Sequence, residues 1–238
     1  MSEPLVVLPG LMCDAGVFSH QTAELSRTHP VMIAPTTNGE RVEQLAGQLL
    51  ERLPSRFALA GHGLGGNVAM EIMRREPARV TRLCLMNTDA QADTPQISAS
   101  REPQIVLARA GRFDEALRQT LTADHLAPSP DRAAVLRRAH KMAEALGPDV
   151  FVHQIRALQR RPDQQGTLRK IKVPTLIIGG AFDGVTPPRR QEFMAELVPI
   201  AKLCIFDEAG HHPALEQPEL LADAMRTWMA EPLLLHTH

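Results

Sequence analysis

Tyrosine is absent from this sequence, tryptophan occurs once, and aromatic residues make up 3% of its 238 positions. Neither charge is in excess. The formal net charge is −1 at pH 7, which offers no complementary field to a nucleic acid or an anionic membrane. The basic cluster of Arg160, Arg161, Arg169, Lys170 and Lys172 reads as a solvated helix end and linker. Cys13, Cys84 and Cys204 are odd in number and widely spaced, excluding a closed disulfide framework or a CxxC metal clip. Cys84 and Cys204 lie in apolar runs and read as buried small hydrophobes. The opening "MSEPLVVLPG" has no basic start and no long apolar stretch, so neither a signal peptide nor a membrane span is expected, and a cytoplasmic location is. Repeats and low-complexity tracts are missing as well.

What is present is a recurring pattern of short apolar runs bounded by turn residues: "PLVVLPG", "PVMIAPT", "RFALAGH", "RVTRLCLMNT", "VPTLIIGG" and "AKLCIFDE". Continuous runs of this length suit strands covered on both faces. Between several of them lie helix-period stripes, namely Val42, Leu45, Ala46, Leu49 and Leu50, then Val68, Ala69, Ile72 and Met73, and last Leu220, Leu221, Met225 and Trp228. Alternation of this kind predicts an α/β fold with a mainly parallel central sheet flanked by helices. Residues 90–171 break it. Strand signals vanish there, and "SPDRAAVLRRAHKMAEALG" predicts a helix capped by Ser129, with Pro130 in its first turn and Gly147 as its stop, before Pro148 opens another. The expected organisation is a core of residues 1–89 and 172–238, with 90–171 an all-helical cap inserted into it.

The stretch "AGHGLGG", residues 60–66, carries two chemistries. Gly61, Gly63 and Gly66 fit GxGxxG, a dinucleotide-binding turn, with Asp89 about 20 residues on as the ribose-binding acid. The same residues fit the strand-to-helix elbow GxSxG with Gly63 in the serine's place. The dinucleotide reading leaves two later stretches without a role: "GGAFDGVTPP", where Asp183 follows a strand end, and "GHHPALEQP", where His211 does the same. A carboxylate and then a histidine, both after the elbow, give the chain order nucleophile, acid, base. Such an imidazole takes a nucleophile's proton, and the carboxylate fixes its tautomer and stabilises the imidazolium.

These motifs, with "VLPGLMCDAGVF" near the start, resemble the α/β-hydrolase superfamily, in particular small bacterial hydrolases with a helical cap grouped with meta-cleavage-product hydrolases and carboxylesterases. The resemblance implies that Gly63 holds the nucleophile's position, Asp183 the acid's and His211 the base's. It also implies an oxyanion hole from the N–H groups of Leu11 and Leu64, and a pocket that includes Met12 and His62. His62 by itself reads as structural. His212 reads as packing or solvent-facing, with no third ligand suggested for a metal site beside His211, and His236 and His238 fall in a terminal tail. No cofactor is expected. The apolar cap, near-neutral charge and lack of tyrosine point to a small hydrophobic ester or carbonyl substrate.

Glycine at position 63 offers no Oγ, so a form inactive or strongly impaired in acyl transfer is the expectation. Three accounts stay open: an engineered Ser-to-Gly change, a natural homologue that binds a ligand without turnover, or a hydrolase in which His211 activates water.

Overall fold

A computed structural model describes residues 2–233; His236 and His238 lie outside them. Six strands form one sheet: β1 (Leu5–Leu8), β2 (Val31–Ile33), β3 (Phe57–His62), β4 (Val80–Met86), β5 (Thr175–Gly180) and β6 (Ala201–Phe206), in the order β2-β1-β3-β4-β5-β6. Every pairing is parallel. The four inner strands are fully buried, as their unbroken apolar runs require. β2 and β6 are the edges, and most of their residues are half-buried or exposed. Cys204, on β6, is therefore only half-buried, whereas Cys84, on β4, is buried as expected.

Helices cover both faces. α1 (Ser19–Leu25) lies between β1 and β2, α2 (Val42–Leu50) between β2 and β3, and α3 (Leu64–Arg75) follows β3 directly. Residues between β4 and β5 hold α4 (Pro95–Ser100), α5 (Glu102–Arg109), α6 (Phe113–Thr120), α7 (Arg132–Gln159) and α8 (Gln165–Leu168); α9 (Pro188–Leu197), α10 (Pro213–Glu216) and α11 (Pro218–Ala230) follow. One core layer packs α2, α3 and α9 on the sheet through Leu45, Val68, Ile72 and Met194. The opposite layer packs α1 and α11 through Leu25, Leu221, Met225 and Trp228. Leu220 stays exposed, one position off the buried stripe of α11.

The helical stretch between β4 and β5 has its own apolar cluster, with Ile105, Leu117, Ala143, Phe151 and Ile155. Its last residues return to the main core, where Ala157, Leu158, Leu168 and Ile171 are buried. α7 begins at Arg132 rather than at Pro130, and Ser129 contributes its carbonyl, not a side-chain cap, to the first turn. Gly147 has φ 84° and kinks α7 where the sequence predicts a break; Pro148 then re-enters the helix.

The strand order reverses around β1, and an open α/β sheet binds ligands at the carboxyl ends of the strands beside such a reversal. Close seating of α3 against β1 puts the elbow there. A Cβ on Gly65 would stand 2.1 Å from the Leu8 carbonyl oxygen, so this helix turn is seated directly on the end of β1. Gly65→Ala must push α3 off the strand and should cost about 1–3 kcal/mol, whereas Gly166→Ala, with open space around it, should be close to neutral; a denaturant melt that ranks the two equally contradicts this packing.

Candidate active site

The sheet's carboxyl edge collects residues from four strand ends. Gly63 follows β3 and caps α3 with φ 51° and ψ −116°, Leu11 follows β1, Asp183 follows β5 and His211 follows β6. A positive φ with this ψ is a conformation glycine enters cheaply and other residues enter at a cost of about 1–3 kcal/mol. A Cβ built on Gly63 would have only ordinary contacts, at 3.7 Å to Gly10 Cα, 3.7 Å to His211 Nε2 and 3.9 Å to the Asn87 carbonyl. The position thus has room for a side chain, aimed at the imidazole.

His211 Nδ1 donates to the Asp183 carboxylate, with 3.1 and 3.0 Å to its two oxygens. Asp183 Oδ1 also accepts from the Val185 and Thr186 amides at 2.7 and 3.0 Å, and Oδ2 from the Thr186 hydroxyl at 2.6 Å and Asn87 Nδ2 at 2.7 Å. Burial works against this carboxylate, but the neighbouring His211 and the hydrogen bonds outweigh it and hold its pKa well below the usual carboxylate range. Burial likewise works against a charged His211, and the Asp183 charge and hydrogen bond prevail, leaving its pKa above the ordinary 6.5. With Nδ1 committed as donor, neutral His211 presents the Nε2 lone pair toward position 63.

The Leu64 amide is the first of α3, where no intrahelical acceptor exists. Among the described residues neither it nor the Leu11 amide reaches a backbone acceptor, and the positive end of the α3 dipole lies at the same point. The next amide, Met12, is spent: it donates to Gln154 Oε1 at 2.8 Å, while Gln154 Nε2 donates to the Thr36 carbonyl at 2.9 Å. A buried glutamine of α7 thereby fixes the loop after β1.

Two expected pocket residues do not line the cavity beside His211. Met12, with φ 54°, turns its side chain into the apolar cluster of the helical stretch. His62 stands behind His211 and donates from Nε2 to the His211 carbonyl at 2.7 Å. The cavity, about 540 Å³, is lined instead by Leu11, Gly63, Leu64, His125, Leu126 and His211 among others. Sequence reasoning also missed Asn87, which holds both Asp183 and the Gly210 carbonyl, and Glu216, whose carboxylate accepts from the amides of Ala127, Gly210 and His212. Asn87 carries a visible signal, a polar residue ending an apolar strand; Glu216 carries none. Arg161 lines the cavity with its side chain 10% exposed, and so departs from the solvated role expected of its cluster.

His212 is buried and gains a third neighbour that its sequence surroundings do not suggest. Cys13, His62 and His212 offer ligand atoms all within 4.8 Å of one another. Burial pushes the Cys13 thiol up to about 12, and its S–H faces the Leu11 carbonyl at 3.5 Å.

The sequence model of the alpha/beta hydrolase family matches residues 5–224. The chain belongs to that family. It is 28% identical over 232 residues to a pimeloyl-[acyl-carrier protein] methyl ester esterase of Nitrosomonas europaea, covering 90% of this chain and 91% of that protein. A thermophilic esterase from Thermogutta terrifontis superposes with a TM-score of 0.87 at 24% identity, covering 96% of this chain and 90% of that one. The enol-lactonase of Burkholderia xenovorans LB400 does so at 0.85 and 21%, covering 97% and 93%; at these identities the two structures speak for the fold alone. Among the described residues no helix is long and apolar enough to cross a membrane.

Burial, then the charge of His211, lowers the pKa of His62 to about 3 and that of His212 well below 6.5. The unfolded chain therefore takes up protons at these imidazoles below about pH 6.5 that the folded chain refuses, and stability present above that pH is lost as pH falls toward 3. His211 has the opposite sign, losing its contribution as pH rises through its folded pKa. The midpoint of urea unfolding should fall between pH 6.5 and 4, and less steeply in His62→Gln; an identical slope in both proteins contradicts the assignment.

Proposed function

We propose that this site is an ester-hydrolase site in which Asp183 and His211 serve as acid and base, the Leu11 and Leu64 amides as oxyanion hole, and Gly63 stands at the nucleophile's position. The observation that carries the reading is the 3.7 Å between a Cβ on Gly63 and His211 Nε2, within one further bond of hydrogen-bonding distance. The esterase relative from Nitrosomonas europaea supports an ester as substrate. Residues 90–171 act as a cap that shields the carbonyl from bulk water.

In a serine-bearing form the hydroxyl attacks the ester carbonyl as His211 Nε2 takes its proton. Negative charge gathers on the carbonyl oxygen at the two amides, and the alcohol leaves with the proton from His211. Water then repeats the sequence on the acyl-enzyme. The present chain has no hydroxyl for this, and loss of a triad nucleophile costs on the order of a million-fold in turnover, leaving roughly 10³–10⁴ over the uncatalysed rate from the remaining site.

A second reading is favoured by one observation: Nε2 of His211 faces position 63 with no protein partner among the described residues. There His211 takes a proton from water as the water oxygen attacks the carbonyl, then returns it to the departing alcohol; ester and water become acid and alcohol in one cycle without a covalent intermediate.

Hydrolysis of short p-nitrophenyl esters separates the readings. Gly63→Ser should gain at least about 10³-fold in kcat/KM, with a rate that rises with pH through a pKa above 6.5, and should be about 1–3 kcal/mol less stable from the positive φ. Adding His211→Ala should remove the gain. Turnover in the glycine form that Gly63→Ser does not raise, yet His211→Ala abolishes, selects the water reading; no His211-dependent turnover in either form contradicts both.

A further inference from the structure

The wall of the cavity is more cationic than the chain as a whole. Arg101, Arg161, Arg189 and Arg190 line it, together with Asp89 and Asp93 and no other acidic or lysine side chain. Four guanidiniums thus face two carboxylates, in a chain whose formal net charge is −1. Three of the four are held by neighbouring acceptors. Asp93, itself buried, lies 2.8 Å from Arg101 Nε and 2.8 Å from Arg161 Nη2. Arg161 Nε donates to the Gln91 carbonyl at 2.8 Å. Arg190 donates to Gln91 Oε1 and lies 3.5 Å from Asp89.

A guanidinium has five N–H donors, and these contacts engage one or two on each arginine. The remaining donors have no acceptor assigned among the described residues. Arg189 is exposed and has no acidic group within ion-pair distance among them. The wall also carries Leu11, Leu64, Leu126, Leu136 and Leu158, interspersed with uncharged polar residues such as Gln104, Gln119 and Thr120.

We infer that the cavity takes an ester whose chain carries a carboxylate, the carbonyl lying at Gly63 and His211, the hydrocarbon against the leucines, and the carboxylate on the Arg101, Arg161 and Arg190 cluster. The inference rests on the ester-site reading and replaces a purely hydrophobic substrate with an amphiphilic one.

Three physical points favour it. A fork of fixed N–H donors matches a carboxylate in two-point hydrogen bonding. The arginines are already held by Asp89, Asp93 and Gln91, so a ligand pays little of their side-chain entropy. A structural staple between the helical stretch and the core would need only balanced pairs, whereas here the cations exceed the anions on a wall facing open space. A volume of about 540 Å³ lies within the ordinary range for a small-molecule site.

Binding tests this on the glycine form, with each ester checked to be intact at the end of the titration. Calorimetric titration with monomethyl adipate is compared with the methyl ester of adipic acid monoamide, which has the same length and shape without the charge. The half-ester should bind at least about tenfold more tightly. The advantage should shrink with added salt and collapse in Arg101→Gln/Arg190→Gln, while affinity for the amide stays unchanged and reports an intact cavity. Arg189→Gln, at the surface, should retain the fold and lower the advantage in part, so a test remains if the double variant does not fold. Equal affinities for the two esters overturn the inference and leave the ester site standing, as does a half-ester advantage that survives every arginine substitution. Binding of neither ester overturns the ester-site reading and the inference with it.

Discussion

The hydrogen bond from His211 to Asp183 organises the carboxyl edge of the sheet. Its acceptor is a carboxylate held by donors from two loops, Val185 and Thr186 beyond β5 and Asn87 beyond β4. Asn87 also takes the Gly210 carbonyl, so the loop before His211 is tied to the same point. The bond fixes which imidazole nitrogen carries the proton and which is left bare. Burial alone would discharge both partners, and each keeps the other's charged form accessible.

Around that bond the backbone performs most of the positioning. His62 Nε2 and the His125 carbonyl hold the two sides of the His211 main chain, and Glu216 gathers three amides from the adjoining loops. The helical stretch between β4 and β5 is keyed to the loop after β1 through Gln154. A Cβ-free Gly10 lets His62 pack closely, since a Cβ there would stand 2.6 Å from Nδ1. Small residues and buried polar side chains bring four strand ends together at this edge, with Gly63 facing His211 Nε2.

Much of this was legible in the residues. The six apolar runs hold the six strands, the four inner ones with nothing to alternate because they are buried on both faces, and the change of pattern after Asp89 marks where strands give way to helices. Asp183 and His211 stand out because each follows a strand end in a turn-rich stretch. Other features depend on contacts between residues distant in the chain. Gln154 is one polar residue on a long helix until Met12 and Thr36 are placed beside it, and Arg161 looks like a solvated helix end until Asp93 covers it. Met12 and His62 sit beside the right residues in sequence, yet a positive φ turns one into the apolar cluster and a hydrogen bond draws the other behind His211. The start of α7 shifted by two residues because a capping-type serine offered its carbonyl instead of its hydroxyl.

The central claim is that His211 Nε2 is aimed at whatever occupies position 63. Mass spectrometry of the Gly63→Ser chain treated with a fluorophosphonate measures this directly, since only a hydroxyl deprotonated by a neighbouring base displaces the fluoride at an appreciable rate. The account predicts one adduct per chain, located at residue 63 and lost when His211→Ala is added. A folded Gly63→Ser protein that stays unmodified, or one labelled equally well without His211, would contradict it.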